Sequence, residues 1–188
     1  MKNLINYLQR RSTGKNVLMF FLPATAVYLA MLFYTIPIVE GYANGLRIFD
    51  LSPGGYSYDH TIELLGSLGE SGRHAYLYRQ LPLDFVYPGL FAISCSLLLS
   101  WLLLKNRPAD SPFFYFCLIP VIAGCFDYIE NIFIVRLIVD FPDVSGWLVK
   151  FSSCATVIKS LATTLFFVVL IFSVTMLFLN RLKQRSRR

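Results

Sequence analysis

The sequence predicts an all-α membrane protein: a four-transmembrane-helix bundle with a helical extracytoplasmic cap between spans 1 and 2. Three observations carry this. The 188 residues are 56% apolar and only 15% charged, where soluble domains are about a quarter charged. Four apolar stretches, residues 16–39, 83–104, 112–137 and 147–179, each reach the roughly 20 residues a helix needs to cross hydrocarbon. Lysine and arginine collect in alternate connecting segments, the pattern that orients a multi-pass protein with its basic loops in the cytoplasm.

The first basic segment is the N-terminal arm, with Lys2, Arg10, Arg11 and Lys15 and no acid. The apolar run after it is longer than the 7–15 residues of a signal-peptide core, so it is read as a retained first span. Backbone groups in lipid must be bonded within the segment, which makes each run a helix. A transmembrane β-barrel needs alternating apolar and polar residues, and runs such as SLLLSWLLL do not alternate.

Residues 40–82 form the cap. Ser52-Pro53-Gly54-Gly55 is turn chemistry. Ser57 or Asp59 then caps a helix over HTIELLGSLGE, which Gly69 and Gly72 end or kink. A second helical piece over 73–80 carries Arg73, Tyr76, Tyr78 and Arg79, and Pro82 opens the second span. The tyrosines Tyr34, Tyr42, Tyr56, Tyr58, Tyr76, Tyr78 and Tyr87 suit an interfacial belt.

The loop between spans 2 and 3 holds Lys105 and Arg107, and the tail at 180–188 holds Arg181, Lys183, Arg185, Arg187 and Arg188. With four spans these fall on the side of the N-terminal arm. Both termini are therefore expected in the cytoplasm of a cell inner membrane, with most acids opposite. The net charge of +6 serves topology and anionic lipid, and no nucleic-acid-binding fold surrounds it. Cys95, Cys117, Cys125 and Cys154 all lie in predicted spans without a C-x-x-C, and read as small apolar residues. The chain reads as one domain.

The third span contains GCFDYIENIFIVR, residues 124–136. A charged side chain at membrane depth costs roughly 2.5–3.5 kcal/mol on insertion scales. Asp127, Glu130 and Asn131, spaced i, i+3 and i+4, share one helix face, expected to turn into the bundle. Asp84 near the start of span 2 and Lys159 in span 4 reach a similar depth. Arg73, Arg79 and Tyr76 stand in the cap above, and a polar pocket open to the outer side follows. Two adjacent carboxylates cannot both stay charged unless a cation lies between them. Lys159 is that cation, or else a metal held by Asp84, Asp127, Glu130 and His74. There is no paired-histidine motif, so no metal ligand is assigned, and no pattern names a cofactor. Pro120 is expected to kink span 3 one turn before the acids.

The segments LGESGRHAY (68–76), LDFVYP (83–88) and DYIEN (127–131) resemble those of a group of uncharacterised small four-span bacterial membrane proteins. The likeness covers roughly positions 46 to 135. It implies a bundle fold and a shared polar cluster, and supplies no reaction.

Three functions remain open on this reading. The first is recognition of a small molecule or lipid head group in the pocket, with acid–base chemistry by Asp127 or Glu130, and with Asp84, Asn131, Lys159, Arg73, Arg79 and Tyr76 as binding residues. The second is an accessory subunit that joins a membrane-protein partner and uses the buried charges structurally. The third is ion- or proton-coupled transport. Membrane lipid is the expected surrounding partner.

Overall fold

The structure, a computed structural model, describes residues 2–185, with the backbone alone at 181 and 183–185. The basic tail residues Arg181, Lys183 and Arg185 therefore have no described side chains, and Arg187 and Arg188 lie outside the described residues.

The described chain is helical throughout, with turns and short loops between helices. It forms α1 (Lys2–Arg11), α2 (Gly14–Glu40), α3 (Tyr58–Ala75), α4 (Leu81–Asn106), α5 (Pro112–Val139) and α6 (Gly146–Arg185). Four helical stretches are long and apolar enough to cross a membrane; they contain α2, α4, α5 and α6. Only 17% and 11% of the most apolar stretches of α2 and α6 are buried, against 44% in α5 and 56% in the stretch that includes α4. The centre of the bundle is thus the α4–α5 pair, with α2 leaning on α4 and α6 on α5. The two flanking helices, α2 and α6, barely meet.

At one end, α1 docks on the α4–α5 turn, where the Gln9 side chain donates to the Ala109 carbonyl at 2.7 Å. The basic N-terminal segment and the basic turn with Lys105 and Arg107 therefore share one end of the molecule. Gly14, at the start of α2, sits against the Trp101 ring.

The other end is closed by the segment between α2 and α4. Ser57 caps α3 by accepting from the His60 amide. Gly69 breaks the helix with φ 59° and ψ −171°, a conformation open essentially to glycine alone. Gly72 instead stays helical and lets α3 lie against Tyr42, whose Cβ would stand 2.7 Å from an added methyl. Ile48, Phe49, Leu64, Leu65, Leu68 and Val39 bury together here with Ile134 and Leu137 of α5.

Two departures from regular helix matter for the site. In α2 the Ile36 amide reaches back five residues to the Met31 carbonyl, and at the start of α4 the Leu81 amide does the same to Tyr76. Each wide turn lies directly before a proline, Pro37 or Pro82. A proline ring excludes the carbonyl four residues back and supplies no N–H, so the preceding turn opens. The second helical piece expected at 73–80 is thus the end of α3 plus a wide turn, Tyr76–Gln80, running straight into α4. Pro120 does not kink the third span. It occupies the first α-turn after a 3₁₀ segment, Pro112–Leu118, where its missing N–H is not needed.

Candidate functional site

The proline that frees a carbonyl is Pro88, inside α4. Its absent N–H leaves the Asp84 carbonyl without the regular helix bond. Asn131 fills the vacancy: its side-chain amide donates to the Asp84 carbonyl at 2.8 Å. Close approach of the two helices makes this reach feasible. A methyl on Gly124 would stand 2.8 Å from the Pro88 carbonyl oxygen, so only glycine lets α5 settle there.

The same approach sets the charged residues. Asp127, Glu130 and Asn131 all face inward and are buried, Glu130 and Asn131 completely. Lys159 of α6 reaches across to both acids. Its Nζ lies 3.1 Å from Asp127 Oδ1 and also pairs with Glu130 Oε2. Thr156, one turn before Lys159, donates to Glu130 Oε1 at 2.7 Å. Glu130 is therefore fully occupied: one oxygen by the ammonium, the other by a hydroxyl.

A second polar group lies beside the first. Tyr76 and Gln80, on the wide turn before α4, both donate to Asp50, the tyrosine to Oδ2 and the amide to Oδ1 at 3.1 Å. Gln80 in turn accepts from Thr35 on the wide turn of α2. The two wide turns thus meet, and such bulges recur at functional sites. Tyr56 rests on α6, its hydroxyl 2.6 Å from that of Ser152 and its amide donating to Ser153. Burial raises the Tyr56 hydroxyl above the ordinary tyrosine range, so it stays neutral.

Between these groups is a cavity of about 350 Å³. Asp50, Asp84, Asp127 and Lys159 supply its polar lining. Asp84 is 4% exposed and its Oδ2 has no hydrogen-bond partner. Around the cavity Asp50 is met by a tyrosine and an amide, Asp127 Oδ1 by Lys159, and Glu130 by Lys159 and a threonine. The cavity presents one fixed cation, a lysine already shared by two acids, and an acceptor left over.

The expected site is corrected in three places. Arg73 does not face the cavity: it donates to the Leu65 carbonyl at 2.8 Å and lies over the Phe141 ring, 4.7 Å away. Arg79 is exposed and borders a separate surface hollow with Glu70 and His74. His74 packs at a tilt against Tyr78 and borders the same hollow as Arg79, not the cavity, and among the described residues no group of three or more His, Cys, Asp or Glu side chains is placed to hold a metal ion.

Asp84, Asp127 and Lys159 do come together around one space, with Glu130 and Asn131 behind them and Tyr76 behind Asp50. Asp50, Gln80, Thr35 and Thr156 are the members that sequence reasoning missed. Thr156 alone left a signal, one turn from Lys159 on the same helix.

Comparison with protein-family models, curated proteins and solved structures finds no match to this chain.

Proposed function

We propose that this chain is a multi-pass protein of a bacterial inner membrane, with α1 and the α4–α5 turn in the cytoplasm and the capped end outside. Its acid-rich cavity binds a small molecule or a lipid head group. The alternation of basic and acidic segments supports the orientation. The binding reading is carried by one observation: three helices and a loop converge Asp50, Asp84, Asp127 and Lys159 on a cavity in which Asp84 Oδ2 has no partner. A buried acceptor left unpaired costs about 1–3 kcal/mol. A bound donor recovers it.

Within this site the acids divide. Glu130 does not itself line the cavity and serves as the strut that fixes Lys159. Asp127 faces the cavity and shares the ammonium, so it is the residue placed to exchange a proton with a bound molecule through Lys159. Asn131 holds α4 against α5 and so sets where Asp84 points. Arg73 is spent on the Leu65 carbonyl and the Phe141 ring, and Arg79 borders a separate surface hollow, which favours ligands that donate hydrogen bonds over anions.

The test is native mass spectrometry of the full chain extracted in detergent, wild type beside Asp127→Asn. The variant keeps the Lys159–Glu130 pair and should remain folded. The expected result is a bound small molecule or lipid on the wild type whose occupancy falls at least tenfold in the variant. Equal occupancy in both, or a wild type that carries only a protein partner, would overturn the reading in favour of an accessory subunit.

A further inference from the structure

The cavity's walls say how a ligand reaches it. On one side are Tyr28, Met31, Leu32 and Ile36 of α2, and on the other Lys159, Ser160, Thr163 and Thr164 of α6. These two helices barely meet. The buried members Met31, Asp84 and Asp127 form the floor, while Tyr28, Leu32 and Thr164 at the rim are exposed. Counting from Glu40 at the capped end of α2, Leu32 and Tyr28 lie about 12 and 18 Å down the helix at 1.5 Å per residue. That is inside a hydrocarbon layer about 30 Å thick. Leu51 and Pro53 line the cavity on the capped side.

We infer that the site is fed sideways from the bilayer, through the gap between α2 and α6, and that its ligand is an amphiphile with an ammonium head and a hydrocarbon chain. This rests on the binding reading above and narrows it to a substrate class. The head lies against Asp84 and Asp127, where the lining has three acids and a single lysine and where Asp84 Oδ2 accepts from no protein group. Asp50 already takes two donors, whereas Asp84 Oδ2 is buried and unfilled. The chain leaves past Tyr28 and Leu32, whose apolar faces form the outer edge of the gap. A water-soluble amine has the right head but gains nothing from that edge. A fatty acid has the right chain and a head that the acids repel.

The test uses the purified full chain in a non-ionic detergent and three probes: hexadecylamine, butylamine and hexadecanoic acid. Binding is read as the ligand-dependent shift in thermal unfolding and as occupancy in native mass spectra. Hexadecylamine is expected to bind at least a hundredfold more tightly than butylamine, and hexadecanoic acid to bind no better than butylamine. Asp84→Asn should weaken hexadecylamine at least tenfold. So should Leu32→Trp, a change at an exposed rim position that leaves the acids and the core untouched and therefore serves even where Asp84→Asn folds poorly.

Butylamine matching hexadecylamine, with both lost in Asp84→Asn, would overturn the lateral route and leave the polar-cavity reading standing. Hexadecanoic acid binding as well as the amine would overturn the ammonium assignment. Hexadecylamine binding unchanged in Asp84→Asn and Asp127→Asn alike would overturn the cavity reading itself.

Discussion

Replacing Lys159 by methionine tests the charge arrangement directly. The ammonium pairs with Asp127 and with Glu130, and Glu130 is completely buried. Removing one partner of a buried pair costs about 3–5 kcal/mol, because the other charge is left uncompensated. A second route gives a similar size. The orphaned glutamate can take up a proton, and at pH 7 that costs roughly 3.7 kcal/mol for a carboxyl with an unperturbed pKa of about 4.3. At pH 5 the same protonation costs only about 1 kcal/mol. The sign follows: the folded variant binds a proton that its unfolded chain does not, so its stability falls as pH rises above about 4.3. Asp127 borders the cavity and adds less. The assay is thermal unfolding in detergent at pH 5 and pH 7. At roughly 2–4 °C per kcal/mol for a chain of this size, Lys159→Met should melt about 10 °C below wild type at pH 7. About half or more of that deficit should vanish at pH 5. Glu130→Gln combined with Lys159→Met should recover most of the loss at pH 7, since no unpaired charge remains. A Lys159→Met protein that melts within about 2 °C of wild type at pH 7, or whose deficit grows at pH 5, would refute the ion-paired core.

Two further outcomes follow from the backbone. Asn131→Leu should cost about 1–3 kcal/mol, the price of an orphaned buried carbonyl; Pro88→Ala in the same chain should recover part of it by restoring an N–H for the Asp84 carbonyl, read from a double-mutant cycle of melting temperatures. Gly69→Ala should cost about 1–3 kcal/mol through its backbone conformation alone, since an added methyl there meets nothing within 4 Å; a neutral effect in thermal unfolding would show that the break in α3 is not obligatory.

What could be read in the chain was whatever depends on neighbours in sequence. Apolar length marked the helices of the four spans, and their limits shift by only a few residues: 16–39 becomes Gly14–Glu40 and 112–137 becomes Pro112–Val139. A cap at Ser57 or Asp59 and a break at Gly69 or Gly72 were legible because they arise from local hydrogen bonding and local dihedral angles; the structure selects Ser57 and Gly69. The shared face of Asp127, Glu130 and Asn131 was legible because helical spacing fixes it.

The tertiary structure alone decided the rest. Arg73 looked available from its position, yet the fold of α3 spends it on the Leu65 carbonyl and the Phe141 ring. Asp50 looked like a loop acid until the chain brought it back onto Tyr76 and Gln80. Pro88 and Asn131 are 43 positions apart in number, and nothing local says that the amide of one repairs the gap left by the other. That α2 and α6 barely meet is likewise set by packing between distant segments. Local spacing fixes which side chains share a face; only packing between distant segments fixes what each face meets, and the chemistry of a site is set by what its groups meet.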